Sequence, residues 1–262
     1  MMFVLAVLVM LASPLKGQVA GGDRSPVNIL ERPPVVGGPE QKRAGDQEAE
    51  GLALAREVWR AAGGEKGWTD LSWNLSFDFV SYRDGKEAAR FSHRWNRKTN
   101  AAVVSGIGRD GRRWEVQFSD LYARRGTATI NGTAAPDSDL PRLLENAYAR
   151  FINDSYWLLM PLKLLDNGVI HRRLDDTTVG GGRFERLGLS FERVGLTPGD
   201  QYQLYIDPKS KRVVRWTFVL ESGRTGDYTW EEYERVGPVT LPRVRRAPDG
   251  AIAIRFENVR VE

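Results

Sequence analysis

From Leu71 to Phe79 apolar and polar residues alternate, with Leu71, Trp73, Leu75, Phe77 and Phe79 set against Asn74, Ser76 and Asp78. A strand sends successive side chains to opposite faces, so this segment predicts a half-buried strand with one ring-bearing face. The period returns in Arg90–Arg97, where Phe91, His93 and Trp95 share a face, and in Arg113–Tyr122, where Trp114, Val116 and Phe118 alternate with Glu115, Gln117 and Ser119. Asp84-Gly85 separates the first two runs, and Asp110-Gly111 separates Asn100–Ile107 from Arg113–Tyr122. Asp-Gly between alternating runs is a hairpin signal, so an antiparallel meander is expected. A second group of strands is expected at Phe184–Val194, Gln201–Ile206, Arg212–Glu221, Gly226–Val236 and Ala251–Val261, with a turn at Asp207-Pro208-Lys209-Ser210. In Val213–Leu220 both faces carry apolar groups, which places that strand near the centre of the sheet.

Helical spacing interrupts the strands in three places. Asp46–Ala62 has Asp46 as an N-cap, a stripe of Leu54, Val58, Ala61 and Ala62, and a stop at Gly63-Gly64. Asp139–Ile152 carries Leu140, Leu143, Leu144, Ala147, Tyr148 and Phe151 at helical intervals, with Pro141 in the permissive first turn. Tyr156–Leu165 is apolar on nearly every side yet contains Pro161, and predicts a separate buried helix or broken strand lying across the sheet. The N-terminus is different again. Phe3–Ala12 is a continuous apolar run, shorter than the roughly 20 residues of a membrane span and suited to a secretory leader. Residues 1–20 are therefore expected to be a signal peptide or N-terminal anchor, 21–45 a Pro/Gly-rich linker, and 46–262 a single β domain. Export to the periplasm or beyond is expected, with retention by an uncleaved N-terminal segment as the variant.

Composition narrows the chemistry. The 262 residues contain 38 basic and 34 acidic side chains, and the excess is scattered as short pairs such as Arg112-Arg113, Arg124-Arg125 and Arg245-Arg246. These read as solvated strand faces beside acids, so no nucleic-acid partner is expected. The absence of cysteine excludes disulfides, thiol catalysis and thiolate metal sites. With two histidines and no metal-ligating spacing, neither a metal nor a cofactor is expected. Gly180-Gly181-Gly182 lacks a strand-to-helix context and reads as a turn. His93, between two rings, reads as a satisfied core histidine, and His171, beside Arg172 and Arg173, as a surface loop residue. Asp154 and Asp166 are the carboxylates that an acid–base pair would use, provided they stand about 5–10 Å apart.

The aromatic side chains suggest a wall. Trp73, Phe77, Phe91, Trp95, Trp114 and Phe118 from the sheet, with Tyr156, Trp157 and Met160 from the covering segment, are the candidate lining of an apolar cavity, and His93 its polar contact. The alternative is a solid core with no cavity.

Several stretches carry a family resemblance. The helix ending in Ala61-Ala62-Gly63-Gly64, followed by Trp68 and the strand Ser72–Tyr82, resembles the opening of bacterial proteins with the outer-membrane lipoprotein carrier fold. The run Ala149–Pro161 with Lys163–Val169, Asp227-Tyr228-Thr229-Trp230 and Ile254–Asn258 are similar to an uncharacterised exported branch of that group. The resemblance implies a fold of the α+β class, mainly β: a strongly curved antiparallel sheet, a half or incomplete barrel, covered by two or three helices that act as a lid. It implies acyl chains held inside, and an arginine that ties lid to sheet. The resulting expectation is an exported, non-catalytic protein that holds an apolar or acyl-bearing ligand between concave sheet and helical lid, with a lipid acyl chain as partner. A cell-envelope adaptor holding another protein is the second reading, and a hydrolase using Asp154 and Asp166 the third.

Overall fold

The computed structural model describes residues 44–191 and 199–262. The expected leader lies outside them, as does all of the expected linker except Ala44 and Gly45, which open helix α1 (Ala44–Ala61). A short π-helical turn at Gly64–Trp68 follows. Six strands come next: β1 (Asn74–Arg83), β2 (Lys86–Asn96), β3 (Ala102–Ile107), β4 (Arg113–Asp120), β5 (Arg125–Ile130) and β6 (Thr133–Ala134). Helix α2 (Leu140–Lys163) leads to β7 (Val169–Val179), β8 (Gly182–Phe191), β9 (Gln201–Ile206), β10 (Val213–Val219), β11 (Thr225–Val236), β12 (Val239–Arg246) and β13 (Ile252–Val261).

Each run of strands is an antiparallel meander, and the two meet where β1 pairs with β13. The product is one 13-stranded sheet ordered β6-β5-β4-β3-β2-β1-β13-β12-β11-β10-β9-β8-β7. Strands β6 and β7 stand at opposite edges, so the sheet remains an open, incomplete barrel. β10 is interior, with β9, β8 and β7 outside it, and the centre falls at β13 rather than at β10 as expected. Asp84-Gly85 and Asn131-Gly132 turn with positive φ at both residues, the geometry that matches strand twist in two-residue hairpins. Gly180 and Gly181 do the same between β7 and β8, in line with the expected turn.

Helix α2 returns the chain from the β6 edge to the β7 edge. Its 24 residues span about 36 Å at 1.5 Å each. Every residue from Phe151 to Leu162 is buried, which requires the sheet to bend around the helix rather than touch one side of it. The expected break between Ile152 and Tyr156 is absent: the two apolar segments are one helix, because Asn153, Asp154 and Ser155 find partners inside the core instead of marking a loop.

Charged residues cover the outer face. Arg90 pairs with Asp78, Glu87 and Glu257, Arg246 with Glu231, and Arg255 with Glu232, which is the solvated arrangement that the composition predicts. Arg245 departs from it. Its side chain points inward and is wholly buried. His171 departs too: the expected surface loop is strand β7, and the imidazole faces the core, where Nε2–H donates to the Leu164 carbonyl at 2.7 Å. The β7 edge is shielded by α1, which packs along it closely enough that a Cβ on Gly51 would stand 2.8 Å from the Arg173 backbone nitrogen.

Candidate functional site

Apart from Phe91 and Trp114, the rings proposed for a cavity wall fall into three groups. Phe77 stacks on His93 at 4.6 Å between ring centres, and Phe151 of α2 lies edge-on to His93 at 5.9 Å and to Trp95 at 5.5 Å. Phe118 is buried beside them. On the other side of the helix Trp157 meets Trp216 at 4.7 Å and Tyr228 at 5.2 Å, Tyr156 meets Trp216 at 6.1 Å, and Met160 is fully enclosed. Trp73 belongs to a third cluster, in which it and Trp68 hold the Arg97 guanidinium at 4.0 and 4.1 Å while Trp73 Nε1–H donates to Gly67. Burial pushes the Arg97 pKa down to about 10. All three groups are packed interior.

Phe91 and Trp114 are the only half-buried members of the proposed wall, the others being buried. A cleft of about 460 Å³ lies between the rim of β2–β4 and the N-terminal half of α2. Its floor is Phe91, Trp114 and Ile130 from the sheet with Leu143 and Ala147 from the helix. The floor has a local cause. Phe91, Gly106 and Trp114 face one another across β2, β3 and β4, and a Cβ on Gly106 would lie 2.5 Å from the Phe91 ring. Glycine lets the two rings lean together over it, 6.1 Å apart, and cover the strand between them. Sequence reading missed Ile130, Leu143, Ala147 and the Gly108–Arg112 loop; the usable signal was the helical set Arg142, Asn146, Ala149 and Arg150, at intervals of three and four along one face.

Beneath the cleft sits a buried polar network. His93 Nε2 is 2.9 Å from Asp154 Oδ2, and both side chains are fully enclosed. The other carboxylate oxygen accepts from Arg150 Nη1 at 3.1 Å and from Asn153 Nδ2 at 2.8 Å. Arg150 also lays its guanidinium 4.2 Å over the Phe91 ring, joining the network to the cleft wall. This is the satisfied core histidine that the sequence suggested, apart from Nδ1, which has no partner. Asp166 is elsewhere, paired with Lys163 at 2.8 Å. Asp154 is closed off by His93, Arg150 and Asn153 while Asp166 lies beyond the end of α2, so the two carboxylates belong to separate networks.

At the far end of α2 an arginine ties helix to sheet. Pro161 has no N–H to give to the carbonyl four residues earlier, that of Trp157, and Arg245 Nη2 of β12 donates to that same oxygen. The guanidinium lies 3.6 Å over Trp230 and donates to Val244 O at 3.0 Å, and among the described residues no carboxylate pairs with it. Burial accordingly pushes its pKa down. Proline in the helix and arginine in the sheet are thus complementary.

No family model matches the sequence, and no curated protein matches it. Among solved structures, the chain is similar to a DUF1329 family protein from Desulfovibrio piger, with 12% identity, a TM-score of 0.48, and 82% of this chain and 92% of that one covered. It is similar to a LolA superfamily protein from Nitrosomonas europaea, with 12% identity, a TM-score of 0.47, and 79% and 92% covered. It is also similar to an outer membrane lipoprotein-sorting protein domain from Vibrio parahaemolyticus, with 10% identity, a TM-score of 0.44, and 82% and 93% covered. These likenesses concern the course of the backbone.

Proposed function

We propose that this is an exported, non-catalytic binding protein that holds an apolar or acyl-bearing ligand in the cleft between the β2–β4 rim and the N-terminal half of α2. The observation that carries the reading is the cleft. Its volume of about 460 Å³ falls in the range of about 300–1,000 Å³ used by small-molecule sites, and its floor is apolar while its rim is polar. Burial of a chain on that floor would contribute about 25 cal/mol per Å² removed from water. The apolar run Phe3–Ala12 supports export.

An envelope adaptor would instead present an open apolar patch. Among the described residues the exposed large hydrophobics are Leu71, Ile107, Ile170 and Val179, spread over the approach to β1, the end of β3 and both ends of β7. That scatter favours the ligand reading. The full chain should bind a fluorescent fatty-acid probe saturably, and Asn146→Trp, which fills the cleft from an exposed helix position, should weaken it by about tenfold, equivalent to about 1.4 kcal/mol. Absence of saturable binding removes the reading.

A further inference from the structure

The rim of the cleft is charged in one sense. Arg109 and Arg112 from the β3–β4 loop and Arg142 from α2 are exposed at its mouth, Arg150 stands in its wall, and Asp110 is the single acidic residue of the lining. Arg150 is committed to Asp154 and to the Phe91 ring, so it closes the wall rather than reaching outward. At the mouth, Arg112 donates to Asp110 at 2.6 Å and Arg142 to Asp139 at 3.1 Å, and both pairs are open to water. Exposed pairs of this kind are weak, so their guanidinium nitrogens remain available to an anion lodged partly out of solvent beside them. The planar guanidinium fork fits carboxylate and phosphate oxygens in pairs, and several forks converging on one mouth raise the local concentration of an anion.

Resting on the ligand reading above, we propose that the cleft takes a single-chain anionic amphiphile, its chain on the Phe91–Trp114 floor and its carboxylate or phosphate head among Arg109, Arg112 and Arg142. Apolar floor and cationic mouth belong to one cleft, so one molecule satisfies both. A neutral chain would leave the arginines unused, and a cationic one would meet them in repulsion.

The test titrates the full chain with dodecanoate, dodecyl phosphate, dodecanol and dodecyltrimethylammonium, below their micelle concentrations, by displacement of the fatty-acid probe. The two anions should bind about tenfold more tightly than dodecanol, with the trimethylammonium chain weakest. The tighter of the two anions identifies the head. Combining Arg109→Gln, Arg112→Gln and Arg142→Gln should bring anions and dodecanol within about twofold of each other and leave dodecanol where it was. Arg94→Gln, an arginine on the outer face of β2, should change nothing. Dodecanol binding as tightly as the anions overturns this proposal and leaves the cleft reading intact; no chain displacing the probe overturns both. An anion advantage that survives the triple substitution also overturns it. Should that variant fail to fold, salt decides: the advantage must shrink as ionic strength rises, and a salt-insensitive advantage overturns the assignment.

Discussion

The two halves of α2 lie under the same sheet and are used in opposite ways. Toward its C-terminus the helix presents Tyr156, Trp157, Leu158, Leu159 and Met160, all buried, and Trp216, Phe218, Tyr228 and Tyr202 fill the space around them. Toward its N-terminus Leu143, Asn146, Ala147 and Ala149 line the cleft, Arg142 stands at its mouth and Arg150 in its wall, and a gap of about 460 Å³ stays open above the smaller side chains. Side-chain size on one helix therefore decides where the fold is solid and where it is hollow. The arrangement also orders the energetics, because the packed half can anchor the helix while the other half borders space.

The sharpest way to break that contrast is to open a hole at the solid end. Trp216→Ala removes the ring that Trp157, Tyr156, Tyr202 and Trp230 all touch, and should cost about 3–5 kcal/mol in urea unfolding. Probe affinity per folded molecule should stay within about twofold, since the cleft is elsewhere. A large loss of affinity without loss of stability would show that the two halves are not independent.

The next largest effect belongs to the tie between Arg245 and Trp157. Arg245→Met keeps most of the volume and an apolar contact on Trp230 but gives up the guanidinium stacking and leaves the Trp157 carbonyl buried without a donor, the latter a loss of about 1–3 kcal/mol. Pro161→Ala restores the helical N–H to that carbonyl. In the Pro161→Ala background, Arg245→Met should cost about 1 kcal/mol less than in the parent, a coupling read from a double-mutant cycle of unfolding midpoints. Additive losses would mean that the arginine serves the sheet and not the helix.

At the open end the prediction inverts. Gly106→Val suits a strand by propensity, yet its side chain must push the Phe91 ring off the cleft floor. Stability should change by about 1 kcal/mol, as strain and β-propensity oppose each other. Probe affinity should fall by about tenfold. Equal effects on stability and binding would undo the distinction drawn between the halves.

How far the sequence revealed this depends on what each residue does twice. Strands β1, β2, β3, β4, β8, β9, β10, β11 and β13 were legible because their apolar pattern, one-faced or, in β10, two-faced, agrees with the turn residues around them. β7 was not, since an edge strand carrying His171, Arg172, Arg173, Asp175 and Asp176 hides its period behind the charges that protect an edge. β12 was not, because Pro238 precedes it and Pro242 interrupts it. That proline is tolerated where β12 parts from β13, whose pairing covers Val244–Arg246 only, and Arg243 Nε reaches the Phe256 carbonyl instead. β5 and β6 have too few apolar residues to signal. Of the candidate site, the periodicity located Phe91 and Trp114 but could not separate them from Trp95 and Phe118, which alternate just as well and differ only in what α2 places opposite. The buried partner of His93 was beyond reach for a similar reason, as Asp154 lies 61 residues away along the chain.

The smallest effect concerns pH and the solid end. Burial holds the His171 imidazole below its ordinary value of 6.5; the Leu164 hydrogen bond pulls the other way, and Arg56 adds to the depression. Well above pH 6.5 the ring is neutral in both folded and unfolded chains, so its contribution is fully present. As pH falls from there toward the folded-state value, the unfolded chain takes up the proton first, and stability declines. His171→Gln keeps an amide donor for the Leu164 carbonyl and removes the titration. Urea midpoints measured at neutral pH and about one unit below 6.5 should therefore fall further for the parent than for the variant. Because His171 secures the C-terminal end of α2, cleft affinity for a neutral chain such as dodecanol should be unaffected by the substitution at either pH. An equal pH dependence in parent and variant would show that acid acts on some other buried group, and a change in dodecanol affinity would show that loosening one end of the helix is felt at the other.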